Sequence, residues 1–131
     1  MNKITATVTF GNKSAHSGNL DEWQRRATPY TVTLRYQRRA MTVEFWCGSA
    51  CGEPDAATVL DCLASDASGI DNARGFEDWC GEYGYDCDSR KAERTFKATE
   101  TNARKLRRLL GDDYSAIVYS DEDARRARCA G

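Results

Sequence analysis

The hydrophobic pattern of this 131-residue chain changes its period once, and this change constrains the fold more than any motif does. Three early segments alternate apolar and polar residues with a period of two: ITATVTF (4–10), YTVTLRYQ (30–37) and MTVEFWC (41–47). Such alternation, rich in threonine and β-branched residues, predicts strands with one apolar and one polar face. The short connection QRRA between the last two segments predicts a β-hairpin.

Further along the chain, apolar residues recur at helical spacing instead. Segment 55–67 predicts a helix that is interrupted by SGIDNARG, and segment 76–84 predicts a second, shorter helix. Segment 88–111 predicts the longest helix, which ends at a glycine and has a continuous apolar stripe. The residues of this stripe are Ala92, Phe96, Thr99, Ala103, Leu106 and Leu110.

Strands followed by helices predict an α+β protein, with an antiparallel three-stranded N-terminal sheet covered on one face by about three C-terminal helices. The length suits a single domain over 1–131, in which 1–48 form the sheet half and 54–111 the helical half. Segment 112–120 predicts a helical turn or a strand, and the charged segment 121–131 predicts a frayed tail. The edges of a three-stranded sheet leave homodimerisation open.

The sequence contains no apolar leader and no apolar stretch of membrane-spanning length, so we expect a cytoplasmic protein without a membrane partner. Its six cysteines have the spacings C-x3-C and C-x6-C, which lack the C-x2-C pair typical of zinc sites. In a reducing compartment we expect most of them to be small buried hydrophobes. The sequence therefore predicts no metal and no cofactor.

The sequence also lacks the motifs of nucleotide binding, zinc proteolysis and serine hydrolysis. Its only histidine, His16, lies in a polar segment and is a poor candidate for the base of a cysteine nucleophile. Asp86 and Asp88 directly precede the longest predicted helix, where carboxylates are more typical of caps than of a catalytic dyad. We therefore expect a non-enzymatic protein.

The net charge of −1 conceals a strong segregation of charge along the chain. Residues 1–52 carry seven Lys and Arg against three Asp and Glu, whereas residues 53–88 carry ten acids and a single arginine. Residues 89–111 carry eight basic residues and two acidic ones. Such blocks either give the folded protein a polarised surface or neutralise one another within the fold.

Two candidate surfaces follow from these blocks. The first is an acidic surface that would bind an Arg- and Lys-rich partner, and its residues are Glu77, Asp78, Glu82, Asp86 and Asp88. The second is a basic helix face that would follow nucleic-acid phosphates, and its residues are Arg90, Arg94, Lys97, Arg104 and Arg108. A plain solvated helix face also explains the second pattern. Trp79 lies among apolar neighbours at helical spacing, so we expect it in the core.

The segment FEDWCGEYGYDCDSRKAERTFKA (76–98), together with LRRLLG (106–111), resembles a family of small, mostly uncharacterised phage and prophage proteins. The pattern that carries the resemblance is FEDWCxEYGYDxDSRKAExTxKA, within a similarity that spans about residues 30–113. The resemblance implies a mobile-element origin and supplies no catalytic residues. It also implies a protein that binds host machinery in the bacterial cytoplasm, such as an anti-CRISPR inhibitor of a CRISPR effector. The alternative is a phage nucleic-acid-binding accessory protein that uses the basic helix face.

Overall fold

The structure is a computed structural model that describes residues 3–16, 20–48 and 52–130. The chain forms two compact units: unit 1 is Met1–Val59 with Arg126–Gly131, and unit 2 is Leu60–Arg125. The strands are β1 (Thr5–Phe10), β2 (Thr28–Tyr36) and β3 (Arg39–Cys47). The helices are α1 (Glu22–Arg25), α2 (Ala56–Asn72), α3 (Phe76–Tyr83), α4 (Arg90–Leu110), α5 (Tyr114–Val118) and α6 (Glu122–Ala127). The predicted α+β class is confirmed, and the single-domain prediction stays a prediction.

The strands of unit 1 form an antiparallel sheet in the order β1-β2-β3. The register places Val8, Val32 and Val43 in one row across the sheet. Along β2 and β3 the predicted apolar positions are mostly buried, and the intervening threonines are half-buried or exposed. The prediction fails at Phe10, whose side chain is 79% exposed although it stacks on Tyr30. Phe10 is the last residue of β1, so no further residue of this strand lies beyond it to cover its ring.

Strand β2 starts two residues earlier than the predicted segment and therefore includes Pro29. A proline normally argues against a central strand, since it cannot donate a ladder hydrogen bond. Here the last residue pair between β1 and β2 is Phe10 with Tyr30, so Pro29 lies beyond the paired part of β1. The carbonyl of Pro29 still accepts a hydrogen bond from the N–H of Gly11.

Helix α2 extends to Asn72, past the predicted end at residue 67. The segment SGIDN contains residues that commonly break helices, but contacts elsewhere in unit 2 override this local preference. The Asn72 side-chain amide donates to the carbonyl of Ser68, one turn earlier. The Asp71 side chain, in the same last turn, is held by three donors from later segments. Those contacts keep the last turn helical.

Segment 121–131 is predicted to be a frayed tail, but residues 121–130, the part that the structure describes, are ordered by specific contacts. Asp121 accepts a hydrogen bond from the N–H of Ala124 at the start of α6. The Arg125 guanidinium donates to Asp61 at 2.9 Å and also to the carbonyl of Ser120. In unit 1, Cys129 forms an isolated parallel bridge with Ile4, which is fully buried. Specific partners therefore order a segment whose composition alone suggests disorder.

Of the two forms predicted for segment 112–120, the structure has the helical one. A 3₁₀ turn at Gly111–Asp113 leads into α5. Within α4 the buried residues are Ala92, Ala103, Leu106, Leu109 and Leu110, which confirms most of the predicted stripe. In residues 3–16, 20–48 and 52–130, no helix has both the length and the apolar character needed to cross a membrane.

The two-residue turn of the β2–β3 hairpin offers a test of backbone strain. Gln37 has a φ of 58°, a left-handed conformation that glycine adopts without the steric penalty of a side chain. We expect Gln37→Gly to raise the free energy of unfolding by about 0.5–1 kcal/mol, because the removed strain exceeds the added chain entropy. Thermal unfolding followed by circular dichroism measures the change.

The matched control is Arg38→Gly, since Arg38 occupies the same turn and has no positive φ. This substitution adds chain entropy without relieving strain, so it should lower the melting temperature. Equal effects of the two substitutions would contradict the strain argument.

Candidate functional site

Helix α3 is short, and hydrogen bonds stabilise both of its ends. Asp78 accepts the N–H of Arg74 at 2.9 Å, which ties the segment before the helix to its first turn. Gly84 ends the helix in the left-handed conformation, and the N–H of Tyr85 donates to the carbonyl of Cys80. Such glycine caps satisfy carbonyls that would otherwise lack partners at a helix end. These hydrogen bonds fix the extent of α3, which carries three of the candidate acidic residues.

The apolar face of α3 packs within unit 2. Trp79 and Cys80 are 4% and 1% exposed, which confirms the prediction that Trp79 is a core residue. The indole of Trp79 stacks on Tyr85 with ring centroids 5.0 Å apart and meets Phe96 of α4 edge-on at 5.2 Å. Burial raises the pKa of the Cys80 thiol, and nearby Cys87 and acidic groups act in the same direction. This thiol is therefore protonated near neutral pH.

The predicted acidic surface consists of exposed carboxylates. It comprises Glu77, Asp78, Glu82, Asp86 and Asp88, and we call these five residues the acidic surface. Within the described ranges, none of the five pairs with a Lys or Arg side chain. By contrast, Asp61 and Asp71 of the same acidic block each contact an arginine. The fold thus neutralises part of the block and leaves this surface uncompensated.

The prediction that Asp86 or Asp88 caps α4 is wrong. Ser89 is the N-cap residue, because its side chain accepts the N–H of Ala92 at 3.0 Å. Asp86 instead shapes the turn by accepting the N–H of Asp88. Ligand atoms of Asp86, Cys87 and Asp88 lie within 4.8 Å of one another. All three residues are exposed, and we assign no metal to them.

The carboxylate of Asp71 accepts three side-chain hydrogen bonds within unit 2. One oxygen accepts from Arg107 at 2.8 Å, and the other accepts from Tyr114 at 2.6 Å and Tyr119 at 2.9 Å. Desolvation favours the neutral acid, but these three donors outweigh it and hold the pKa of Asp71 below its ordinary value. The Arg107 guanidinium also lies 4.2 Å from the centre of the Tyr114 ring.

The predicted basic face lies on the exposed side of α4, opposite the buried stripe. Arg90, Arg94, Lys97, Arg104 and Arg108 are all exposed. Lys97 is paired with Glu93 at 2.9 Å, and Arg104 donates to Thr101. The face extends over 19 residues, or about 27 Å along the helix axis.

A cleft of about 360 Å³ lies between the last turns of α2 and helix α3 in unit 2. Its lining includes Ser68, Gly69, Asn72, Asp78, Glu82 and Tyr83. Two residues of the acidic surface, Asp78 and Glu82, therefore line a concave site. Sequence periodicity did not predict this cleft, because it depends on how two helices pack.

Unit 1 carries a group of polar and aromatic side chains that the sequence did not predict. His16 contacts Glu44 through its Nε2 at 2.6 Å, and the same carboxylate accepts from the Trp46 indole N–H. Trp23, which is 55% exposed, meets Trp46 edge-on. The sequence signals were Trp23 in the polar segment after the first strand and Trp46 among the polar-face positions of the third strand. Trp23 lies on α1, a single helical turn within the segment LDEWQRR.

The cysteines only partly match their predicted role as buried hydrophobes. Cys47 and Cys80 are buried, Cys129 is half-buried, and Cys62 and Cys87 are exposed. None of these five described cysteines forms a disulfide. Cys51 lies outside the described residues.

Comparison of the chain with protein-family models, with curated proteins and with solved structures finds no significant match. The resemblance to phage and prophage proteins therefore stays a prediction, as do the roles of the two surfaces.

The hydrogen bonds to Asp71 predict a pH-dependent stability. Its folded pKa lies below the unfolded value, so its contribution is present above the unfolded pKa and is lost as the pH falls through the folded pKa. We expect Asp71→Asn to lower the free energy of unfolding at pH 7 by about 1–3 kcal/mol. The deficit should shrink below about pH 4.

Urea unfolding at several pH values measures this difference. Glu77→Gln is the control, because Glu77 is exposed and has no such donors among the described residues. A deficit that stays constant from pH 7 down to pH 3 would contradict the assignment to the ionised carboxylate.

Proposed function

We propose that this is a non-enzymatic protein of phage or mobile-element origin that binds and inhibits a host nucleoprotein defence complex. A CRISPR effector in the bacterial cytoplasm is the class of target that we favour. The observation that carries the proposal is the acidic surface, whose five exposed carboxylates have no basic partner in the described part of the chain. The resemblance to phage proteins adds support, since its core pattern spans the same residues.

The proposed mechanism is competition with nucleic acid. A nucleoprotein effector binds DNA through a groove that is rich in arginine and lysine, because these side chains neutralise phosphates. Closely spaced carboxylates on a folded surface offer the same groove an alternative set of negative charges. Such binding is fast and sensitive to salt. It requires no catalytic step and no cofactor from the inhibitor.

The first test reverses charge on the acidic surface. Glu77→Lys combined with Glu82→Lys should weaken inhibition by at least about tenfold, because two attractive contacts become repulsive. The measurement is target-DNA binding by a panel of purified, guide-loaded bacterial CRISPR effectors. The protein is added before or after the DNA, at low and high salt. We expect the wild type to inhibit at least one effector, and more strongly when it is added first.

The control makes the same change in net charge elsewhere. Asp112 and Asp123 are exposed and have no basic partner in the described residues, so Asp112→Lys with Asp123→Lys should leave inhibition nearly unchanged. Circular dichroism confirms that both variants fold. Unaltered inhibition by the Glu77/Glu82 variant would refute the mechanism, and a panel without any inhibited effector would refute the target class.

A second candidate function rests on the basic face of α4. Arg90, Arg94 and Arg108 are exposed and pair with no carboxylate in the described ranges. Cationic side chains spaced along one helix face suit the phosphates of a nucleic acid. In this alternative the protein is a phage accessory protein that binds nucleic acid directly.

Gel-shift titrations at two salt concentrations separate the two functions. If the basic face binds phosphates, Arg94→Gln with Arg104→Gln should weaken binding to all sequences and reduce the salt slope by about 2. Arg25→Gln with Arg26→Gln, at the C-terminal end of α1, removes the same charge from unit 1 and serves as the control. The absence of any shift with single-stranded DNA, duplex DNA or RNA would remove this alternative.

A further inference from the structure

The cleft between α2 and α3 presents hydrogen-bond acceptors to its interior. Asp78 uses Oδ2 to accept the Arg74 N–H, and its Oδ1 accepts no hydrogen bond from the described residues. Glu82 also accepts none there. The Asn72 side chain donates through its nitrogen to Ser68, which leaves its carbonyl oxygen as a further acceptor. A ligand for this cleft must therefore supply donors and positive charge.

Glycine at position 69 gives the cleft its aromatic wall. A Cβ at this position would lie 2.1 Å from the Tyr83 hydroxyl oxygen and 2.9 Å from the adjoining ring carbon. Only a residue without a side chain therefore lets the Tyr83 ring lie against α2. The ring is 50% exposed, so a surface remains open to a ligand.

We infer that this cleft binds an arginine side chain of a partner protein. A guanidinium group carries five donors in a planar fork. It can bind a carboxylate through two parallel N–H···O hydrogen bonds and can stack on an aromatic ring. The two carboxylates of Asp78 and Glu82 lie four residues apart on one side of α3, next to the Tyr83 ring. An ammonium group of lysine uses the carboxylates but gains less from the ring.

This inference rests on the proposed function and makes it more specific. The proposed function requires only that the acidic surface attract a basic groove. The inference about the cleft requires in addition that one arginine side chain enter a defined site. The size of the cleft, about 360 Å³, lies within the range of small-molecule sites and exceeds what a bare ion needs. The remaining three acids, Glu77, Asp86 and Asp88, then contribute longer-range electrostatic attraction from outside the cleft.

The experiment titrates the isotope-labelled protein with N-acetyl-arginine methylamide and follows backbone amide signals. We expect saturable shifts centred on Ser68, Gly69, Asn72 and Tyr83. The citrulline analogue, which has the same shape without the charge, should give none, and the lysine analogue should bind several-fold more weakly. Equal binding of all three compounds, or shifts spread evenly over the acidic surface, would overturn the inference.

Two pairs of neutral substitutions remove the same charge inside and outside the cleft. Asp78→Asn with Glu82→Gln should lower arginine affinity by about tenfold or more, since charge-assisted hydrogen bonds are lost. The amide oxygen introduced by Asp78→Asn can still accept the Arg74 N–H, so the helix start is kept. Glu77→Gln with Asp88→Asn should lower affinity by no more than about threefold at physiological salt, where screening is strong. Equal losses from both pairs would refute a defined site.

Gly69→Ala tests the wall without changing charge. The new methyl group must displace Tyr83, so we expect a loss of arginine affinity of several-fold with an intact α2. Unchanged affinity would contradict the role of the ring.

The outcomes of these experiments distinguish failure of the cleft inference from failure of the proposed function. If both neutral pairs weaken effector inhibition equally, the acidic surface stands and the cleft fails. If the arginine compound binds in the cleft but charge reversal leaves inhibition unaltered, the proposed function fails.

Discussion

The arrangement of the helices in unit 2 depends on the hydrogen bonds that the carboxylate of Asp71 accepts. This carboxylate receives hydrogen bonds from residues 36, 43 and 48 positions later in the chain. The Asp71 side chain is only 13% exposed, so an ionised group here needs donors in place of the water that it has lost. Arg107 and two tyrosine hydroxyls supply them. The last turn of α2, helix α4 and the segment around α5 are thus fixed together at one charged group.

Ion pairing within unit 2 occupies some of its acids and leaves others available at the surface. Unit 1 carries nine basic and five acidic residues, whereas unit 2 carries ten basic and fifteen acidic ones. Asp71 and Asp61 are occupied by Arg107 and Arg125. The carboxylates of α3 and the following turn have no such partners among the described residues. The two outcomes left open by the charge blocks therefore both occur, at different residues of the same block.

The sequence predicted the elements better than their ends or their contacts. Period-two and helical patterns identified three strands and the main helices, because both depend on local spacing. The extension of α2 to Asn72 and the order of residues 121–130 depend on distant partners, Arg107 for one and Asp61 for the other. The acidic residues were identified from charge, but the cleft was not. The cleft depends on Gly69, because a side chain at this position would collide with Tyr83. The sequence does not show that these two residues lie side by side.

The exposed faces of α3 and α4 differ in a way that ranks the two candidate surfaces. On α4, Lys97 follows Glu93 by one turn and pairs with it, as is typical of a solvated helix face. On α3, Glu82 follows Asp78 by one turn, a like-charge pair that costs about 0.2–0.5 kcal/mol. Glu82 also lies in the last turn of α3, where the helix dipole favours a cation.

A lysine at position 82 would remove both costs by pairing with Asp78 and by complementing the helix dipole. Stability therefore does not explain the glutamate, whereas the proposed recognition of a basic group gives it a role. The charges on α4 include the local compensation expected of an ordinary surface. This contrast supports the acidic surface over the basic face as the proposed partner-binding site.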